Sequence, residues 1–242
     1  MRQPAPLTFG AHLRMDIVRL VLEIKQPRSA IEVGPGLAAA SLELAAGREY
    51  VGYEPDAESY GVARSRLEFV SSARIFNQPV PDIPTQEFDL LVAFEVLEHI
   101  DDDSAALTNW TRWVKPGGTV LISVPARPER FSAWDEKAGH FRRYGRYQLR
   151  DLMAGAELAR IEIRSYGMPL GYLLEWTRNA IARRGEVKES MGTRTAESGR
   201  LYQANRGRCI RAMVVKPFQV AQRPFGDTGL GTGFVAWGDV EP

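Results

Sequence analysis

Three side chains that can bind a metal or move a proton lie close together in the segment FEVLEHIDDD (94–103). Glu95, Glu98 and His99 are spaced at i, i+3 and i+4, so a helical segment would present all three on one face. Such a face could ligate a divalent ion, relay a proton or begin a solvated helix, and the spacing alone does not choose between them. The aspartates at 101–103 predict N-caps and dipole partners of the helix that follows.

A second candidate site is the glycine loop EVGPGLAA (32–39), which lies between a predicted strand and a predicted helix. Gly34 and Gly36 would let the backbone approach a ligand, and the pattern also matches a dinucleotide fingerprint with Glu54 placed to bind a ribose. Glu32, just before the first glycine, would oppose a pyrophosphate but favour a cationic group. One cationic end and one ribose indicate S-adenosylmethionine. The plainer alternative is that the glycines only form a turn and Glu54 only caps the next helix.

Strand and helix signals alternate along the chain, and these elements must position the candidate residues. Apolar residues recur at helical spacing in about residues 10–24, whereas FDLLVAF (88–94) is apolar on both faces, as central parallel strands are. The other predicted strands are 29–34, 50–55, 73–77, 119–124, 159–166 and 231–238, the other predicted helices are 37–47, 56–69, 104–114 and 147–158, and KPGG (115–118) is a predicted turn. This order predicts an α/β fold with a doubly wound, mainly parallel sheet whose ligand lies beyond the carboxyl ends of the strands.

Bulk composition narrows the class of protein. The chain has 242 residues, of which 44% are hydrophobic and 25% charged, as in an ordinary globular domain. The formal net charge of +1 argues against a general nucleic-acid-binding surface, and the single cysteine, Cys209, excludes an internal disulfide. Neither an apolar leader nor a run of about 18 apolar residues occurs, so we expect a cytoplasmic protein with no transmembrane segment.

The motifs taken together resemble a known family, the class I S-adenosylmethionine-dependent methyltransferases. The resemblance rests on E-x-G-x-G, the acidic residue that ends strand two, FDLLVAFEVLEHIDDD and WVKPGGTVLISVP, and it covers roughly residues 10–166. GTGFVAWG (231–238) stands where that fold has its last, antiparallel strand. The resemblance implies a seven-stranded Rossmann-like sheet, S-adenosylmethionine as the methyl donor and S-adenosylhomocysteine as the product.

The same resemblance assigns cofactor contacts to particular positions. The implied cofactor-binding residues are Glu32, Gly34, Pro35 and Gly36 at the methionine end, Glu54 at the ribose, Pro55 at the adenine, and Phe94 and Glu95 along the border of the site. Ala38 stands where many relatives have a third glycine. Asn77 and Gln78 stand where many have an acidic residue that receives the adenine amine, and an amide oxygen can accept the same hydrogen bond.

The segment after strand five, VPARPERFSAWDEKAGHFRRYGRYQL (124–149), resembles a subgroup of these enzymes with a D-x-x-x-G-H-x-R-R-Y signature. The signature residues here are Asp135, Gly139, His140, Arg142, Arg143 and Tyr144. Its position predicts a loop over the pocket, with Trp134, Arg143 and Tyr144 binding the substrate and excluding water. The alternative is that the arginines pair with surface carboxylates and Asp135 caps a turn.

The chain has three histidines, and two of them are candidates for catalysis. An oxygen acceptor must lose its proton, and histidine suits that task near neutral pH. His99 follows strand four and His140 lies in the covering loop, so we predict that both face the acceptor. His12 is predicted to be a helix-surface or packing residue. Glu95, Glu98, His99 and His140 also resemble the metal-binding arrangement of small-RNA 2′-O-methyltransferases, and E-x-x-E-H alone resembles ubiquinone-pathway O-methyltransferases. A divalent metal is therefore an alternative, and the favoured prediction is a site without one.

The region before the last strand has a different character. Residues 167–228 are predicted to be a helical, basic insertion that caps the acceptor, and residues 178–223 carry 11 Lys or Arg against 3 Asp or Glu. This balance favours an anionic or lipid-linked acceptor, or peripheral contact with an anionic membrane surface. The alternative is a packed helical subdomain with solvated arginines. Residues 185–207 are predicted to be a mobile loop.

The chain is thus predicted to be one methyltransferase domain over residues 1–242, with a cofactor core at 10–166, the insertion at 167–228 and the last strand and tail at 229–242. The predicted reaction moves the methyl group of S-adenosylmethionine to a small molecule, preferably to an oxygen atom, by in-line displacement with histidine-assisted deprotonation. No nucleic-acid partner is expected. The alternatives are an NAD-dependent oxidoreductase on a similar fold and a methyltransferase-like binding module without catalysis.

Overall fold

The computed structural model describes residues 7–182 and 216–241 of the chain. Its strands are β1 Ser29–Val33, β2 Glu49–Tyr53, β3 Ala73–Phe76, β4 Phe88–Phe94, β5 Val114–Pro125, β6 Leu158–Tyr166 and β7 Gly233–Val240. Its helices are α1 Phe9–Lys25, α2 Ser41–Ala45, α3 Ala57–Leu67, α4 Asp103–Thr111, α5 Ala133–Ala138, α6 Arg146–Gly155 and α7 Leu170–Ala182. Residues 216–222 are also helical. Every strand predicted from the sequence is present.

The seven strands form one sheet in the order β3-β2-β1-β4-β5-β7-β6. The strands from β3 across to β5 pair in parallel, whereas β7 runs antiparallel to both β5 and β6. This arrangement confirms the predicted doubly wound sheet with an antiparallel last strand. The chain order reverses between β1 and β4, and in such sheets the crevice at that point is where ligands bind.

The sheet is covered on both faces, which explains why its central strand is apolar throughout. On β4, Leu91 and Ala93 pack into one buried cluster together with residues of α4 and α6. Leu90 and Val92 point to the other face and join a cluster formed by α1, α2 and α3. A strand buried on both sides cannot show the polar alternation of a half-exposed strand.

Two segments near the candidate residues differ from the predicted local structure. The predicted helix 37–47 is reduced to α2, because the residues before it form turns in which Gly36 and Ala38 have left-handed φ angles of 54° and 56°. The segment after β4 is not a regular helix: Glu95 has a φ of 57°, and Leu97–His99 is a single 3-10 turn. The i, i+3, i+4 spacing therefore does not place its three polar residues on one helical face.

Two further differences lie outside the site. The predicted turn KPGG (115–118) lies within β5, where the pairing with β4 shifts register and Gly117 has a φ of 79°. The predicted insertion begins with α7, but its predicted mobile loop and most of its basic residues fall in residues 183–215, outside the described residues. Among the helices that the structure describes, none has both the length and the apolar character needed to cross a membrane.

Candidate active site

A cleft of about 1140 Å³ opens at the carboxyl ends of the central strands. It is larger than the roughly 300–1,000 Å³ typical of small-molecule pockets, so it can hold a cofactor and a small acceptor together. The described residues that line it include eight carboxylates and three arginines. The carboxylates are Glu32, Glu54, Asp56, Asp82, Glu95, Asp102, Asp135 and Glu175, and the arginines are Arg14, Arg143 and Arg178. This excess of negative charge suits a cationic ligand.

The glycine loop forms one wall of the cleft, beside a buried carboxylate. Glu32, in β1, accepts hydrogen bonds from Ser41 Oγ at 2.6 Å and from the hydroxyl of Tyr50. Burial raises the pKa of Glu32 above its ordinary value, and these two neutral donors only partly oppose that effect. Gly34 has a φ of 65°, and a Cβ built there would lie 2.8 Å from Val96 Cγ2. Only glycine fits this position without movement of its neighbours.

The acid that ends strand two is held by the backbone around it. Glu54 accepts the N–H of Gly36 at 2.7 Å on one carboxylate oxygen and the N–H of Asp56 at 2.9 Å on the other. The side chain is buried, and burial raises its pKa. Each carboxylate oxygen can accept more than one hydrogen bond, so both retain capacity toward the cleft.

The adenine side departs from the prediction. The side-chain amide of Asn77 donates to the carbonyl oxygens of Glu54 and Pro55, at 2.9 and 3.2 Å. Asn77 therefore supports the loop from behind, and neither it nor Gln78 is among the residues that line the cleft. This placement disagrees with their predicted contact with the adenine amine. The lining there comes instead from Pro79, Val80 and Asp82, in the loop after β3.

Arg14 is a lining residue that the sequence analysis missed. It extends from α1, is nearly buried, donates to Ser123 Oγ at 3.1 Å and lies 3.4 Å from Glu95 Oε1. Its guanidinium carbon lies 4.7 Å from the centre of the Phe94 ring, and its Nε has no hydrogen-bond partner among the described residues. The available signal was its spacing, because Arg14 shares the buried face of α1 with Val18, four residues on.

Phe94 and Glu95, which the sequence predicts to contact the cofactor, both border the cleft. The Glu95 carboxylate accepts hydrogen bonds from Ser123 Oγ and from the hydroxyl of Tyr166, both at 2.9 Å. These bonds tie β4, β5 and β6 together at the point where they end. Burial, together with the charge of Glu95, raises the pKa of the Tyr166 hydroxyl well above its ordinary value, so it stays protonated as a donor.

The second wall of the cleft carries the two candidate catalytic histidines. His99 and His140 meet edge to face, with ring centres 4.7 Å apart, and both line the cleft. Glu98 lies behind them with no exposed surface, and its Oε1 is 4.0 Å from His140 Nε2. One possible ligand atom from each of the three residues lies within 4.8 Å of the other two.

The electrostatics of this group are unusual. Neither carboxylate oxygen of Glu98 has a hydrogen-bond partner among the described residues, and burial together with the charge of Glu95 raises its pKa well above the ordinary value. Burial and the neighbouring His140 lower the pKa of His99 to about 4, so that imidazole is neutral near pH 7. A buried, unpartnered carboxylate beside a neutral imidazole is a site prepared for a proton or a cation.

The signature segment forms a buried ionic network around one of these histidines. Asp135 Oδ1 lies 2.9 Å from His140 Nδ1 and also accepts the Nε–H of Arg143 at 2.9 Å. Asp135 Oδ2 lies 2.8 Å from Arg143 Nη2. Burial raises the pKa of Asp135, but the hydrogen bonds from His140 and Arg143 outweigh it and hold the pKa well below its usual range. Asp135 is therefore ionised and is placed to accept a hydrogen bond from His140 Nδ1.

The three predicted substrate-binding residues do not share one environment. Trp134 and Arg143 line the cleft. Tyr144 does not: it is fully buried in the core, and its hydroxyl donates to Asp103 at 2.8 Å. The prediction that Tyr144 contacts the substrate is therefore wrong, because the chain direction that points Arg143 into the cleft turns the next side chain into the core. Arg142 lies outside and pairs with Asp103 at 2.8 Å.

Comparisons with known proteins agree with this geometry. A family model described as a methyltransferase domain matches residues 10–163. The ubiquinone biosynthesis O-methyltransferase of Methylococcus capsulatus is 32% identical over 117 residues, which cover 46% of this chain and 49% of that protein. The phosphoethanolamine N-methyltransferase 1 of Triticum aestivum is 28% identical over 131 residues, which cover 49% of this chain and 26% of that protein. The chain thus spans about half the length of the ubiquinone-pathway relatives it matches.

A solved structure shows the same fold. The N-methyltransferase NodS of Bradyrhizobium japonicum, in complex with S-adenosylhomocysteine, superposes with a TM-score of 0.55 at 19% identity and covers 66% of this chain and 80% of its own. The family match favours the predicted methyltransferase over the alternative NAD-dependent oxidoreductase. The chain belongs to the methyltransferase domain family and carries the class I fold of the S-adenosylmethionine-dependent methyltransferases.

Proposed function

We propose that the protein transfers the methyl group of S-adenosylmethionine to a small molecule, with an oxygen atom as the favoured acceptor. One observation carries the proposal: a single cleft is lined at one side by Glu32, the glycine loop and Glu54, and at the other by His99 and His140. The first group suits a ligand with a cationic centre and a ribose, and the second suits removal of a proton. The excess of carboxylates favours the sulfonium form of the cofactor over the product, which lacks that charge.

On the donor side, the proposed contacts follow from the charges in the cleft. Glu54 accepts the ribose hydroxyls, because a carboxylate can accept two hydroxyl hydrogen bonds. Glu32 and the glycine loop face the cationic methionine end. Arg14 complements the carboxylate of the methionine moiety, since it is the guanidinium that lines the same wall and its Nε has no partner among the described residues. Glu95 keeps Arg14 in place from the side.

The proposed chemical step is an in-line displacement. A lone pair of the acceptor oxygen attacks the methyl carbon, the carbon–sulfur bond breaks, and its electron pair stays on sulfur to give S-adenosylhomocysteine. The hydroxyl proton passes to His140 Nε2. We assign this role to His140 because ionised Asp135 holds its Nδ1–H, whereas the buried imidazole of His99 binds a proton weakly. His99 is then placed to orient the acceptor.

The same residues also fit a divalent metal. Glu98 offers a buried carboxylate without a partner among the described residues, and His99 and His140 offer imidazole nitrogens within the reach of one ion. Their Asp135 neighbour matches the carboxylate that commonly orients a metal-binding histidine. A bound ion would supply Lewis-acid activation of an acceptor oxygen. Transfer that stops with a chelator and returns with added divalent ion would favour this role over proton transfer to a free histidine.

The charges also bear on the acceptor. Arg143 is already paired with Asp135 and Glu175 inside the cleft, so it is not available to a negative group. We therefore propose a neutral hydroxyl acceptor rather than the anionic or lipid-linked one suggested by the basic insertion, most of which lies outside the described residues. Location in the cytoplasm remains a prediction.

The first test is calorimetric titration of the protein with S-adenosylmethionine and with S-adenosylhomocysteine, where one site per chain is expected for each. The absence of binding by both would contradict the proposal. The second test offers methyl-labelled S-adenosylmethionine with a panel of phenols, catechols, aliphatic alcohols and primary amines. Label in O-methyl products is expected, exclusive N-methylation would overturn the oxygen assignment, and binding without any transfer would favour the binding-module alternative.

His140→Ala provides the test of the catalytic assignment. Transfer should slow by about 100-fold or more, the usual contribution of a positioned general base, while the affinity for S-adenosylhomocysteine stays unchanged. His12→Ala is the matched control, because His12 is the histidine of the chain that does not line the cleft. Full activity of His140→Ala would remove this histidine from the mechanism.

A further inference from the structure

Helix α7 closes one side of the cleft, and two of its side chains attach it to the signature segment. Glu175 accepts hydrogen bonds from Arg143 and, at 2.5 and 2.9 Å, from Arg130. Asn179, one turn further on, accepts the hydroxyl of Ser132 at 2.7 Å and the N–H of Trp134 at 3.3 Å. Both attachments hold the same helix to the same segment, but they end on different residues.

The attachment through Glu175 continues to the candidate base. Arg143 bridges two carboxylates, with Glu175 on one side and Asp135 on the other, and Asp135 in turn holds His140 Nδ1. Glu175 is 8% exposed, Arg143 5% and Asp135 0%, so each of these charges depends on its neighbours rather than on water. The contacts thus connect α7 to His140 through side chains that are all buried.

Removing one charge from this series of buried ion pairs should change the contact of its neighbour. Without Glu175, Arg143 keeps one carboxylate partner among the described residues and gains freedom to rotate. Asp135 stays bonded to Ser132 through Oδ2 but loses a fixed partner at Oδ1, the oxygen that faces His140. Asn179 also has a link to Asp135, because the Ser132 hydroxyl that donates to Asn179 donates to Asp135 Oδ2 as well, at 2.7 Å. Loss of Asn179 should loosen the same helix but leave that hydroxyl free to donate to Asp135, so it removes no direct contact of Asp135. The two α7 side chains therefore separate a general effect of the helix from a specific effect on the histidine.

We propose that Glu175 is a positioning residue, which acts through Arg143 and Asp135 to hold His140 by its Nδ1. This proposal rests on the proposed function in one respect, namely that His140 is the base of the reaction. The geometric part concerns the His140 hydrogen bond itself.

The test uses nuclear magnetic resonance of the full chain labelled with ¹⁵N-histidine. Only three histidines contribute signals, and His→Gln variants assign them. In the unaltered protein, His140 Nδ1–H is expected to give a protected, downfield proton signal, and Asp135→Asn should abolish it. In Glu175→Gln its exchange with water should accelerate by at least about tenfold, the effect of weakening one hydrogen bond to a charged group. In Asn179→Ala the exchange rate should match that of the unaltered protein.

Two outcomes would overturn the proposal. One is a Glu175→Gln variant whose His140 signal exchanges at the original rate, and the other is equal acceleration in Glu175→Gln and Asn179→Ala. If Glu175→Gln does not fold, Glu175→Asp keeps the charge but withdraws it from Arg143 by one methylene, and the same readings apply. Because none of these measurements uses methyl transfer, their failure is distinct from a failure of the proposed reaction, which His140→Ala tests.

Discussion

The two halves of the cleft hold their buried carboxylates in opposite ways. In the cofactor half, Glu32 and Glu54 are held by hydroxyl and backbone N–H donors, and burial raises the pKa of each. In the acceptor half, Asp135 is held by Arg143 and His140, and its pKa is kept well below the usual range. The first half is left with negative charge to be matched by a ligand. In the second half the charge of Asp135 is matched by the protein itself, whereas Glu98 has no hydrogen-bond partner among the described residues.

This difference teaches how each half is specialised. Neutral donors leave the negative charge of a carboxylate without a countercharge. The free-energy cost of burying that charge is then offset when a cationic ligand binds. A carboxylate paired with an arginine is already satisfied, and its contribution is to fix geometry. In the proposed mechanism the cofactor half therefore attracts its ligand by charge, and the acceptor half orients His140. Changing each carboxylate to its amide should expose the contrast.

The largest effect is expected for Asp135→Asn. Removing one partner of a buried ion pair leaves Arg143 with one fewer countercharge, and such changes cost about 3–5 kcal/mol of unfolding free energy. Urea denaturation measures it. Glu129→Gln is the control, since Glu129 is exposed and pairs with Arg127 at the surface, and no measurable change is expected. A stable Asp135→Asn protein would show that the acceptor half does not depend on its internal pairing.

The next effect concerns cofactor affinity. Glu54→Ala removes the acceptor of the ribose hydroxyls, and two lost hydrogen bonds to a charged group should raise the dissociation constant of S-adenosylhomocysteine by about 100-fold or more. Calorimetry measures the change. Glu49→Ala is the matched control, because Glu49 lies at the other end of β2, exposed and paired with Arg74. Equal binding by both variants would refute the ribose assignment.

A smaller effect is expected in the glycine loop. Gly34→Ala places a Cβ 2.8 Å from Val96 in a left-handed conformation, so it should cost about 1–3 kcal/mol of stability and weaken cofactor binding. Val96→Ala in the same protein should recover part of that loss. Gly47→Ala is the control, with a φ of 70° but open space around the added atom. If it costs as much as Gly34→Ala, backbone strain rather than the close approach explains the effect.

The smallest effect has the opposite sign. Because the folded-state pKa of Glu32 is raised, the folded protein binds its proton more tightly than the unfolded chain, and the ionised form destabilises the fold at neutral pH. Glu32→Gln should therefore leave stability unchanged or raise it by up to about 1 kcal/mol, while cofactor affinity falls. Thermal unfolding at pH 7 measures the stability change.

The pH dependence of the two amide variants sharpens the same contrast. For Glu32, lowering the pH toward the ordinary carboxyl range should stabilise the original protein relative to Glu32→Gln. For Asp135 the sign reverses, because its depressed pKa contributes stability above the ordinary carboxyl pKa of about 3.8 that is lost as the pH falls below it. Shifts of the same sign for both variants would contradict the proposed difference between the halves.

The sequence by itself determined the fold and predicted most of the residues that line the proposed cofactor side of the cleft. Alternating strand and helix signals predicted the sheet, and Glu32, Gly34 and Glu54 were found because their partners are close in sequence or on adjacent strands. The local backbone conformation requires the glycines of the loop, and such a local requirement produces a spacing that can be recognised in the sequence. Sequence spacing also grouped Glu95, Glu98 and His99, but it assumed a helix that the left-handed Glu95 prevents.

Only the tertiary structure decided the acceptor half. Glu175 and the inward turn of Tyr144 depend on contacts between segments more than thirty residues apart, such as the 32 positions between Arg143 and Glu175. On the cofactor side, the same holds for Arg14, which meets Ser123 and Glu95. The residues next to an arginine or a glutamate in the sequence do not indicate which distant charged residue will be its ion-pair partner. Folding brings those charges together in a place without water, and there each must find a partner. In the proposed mechanism, that long-range pairing is what selects His140 as the base.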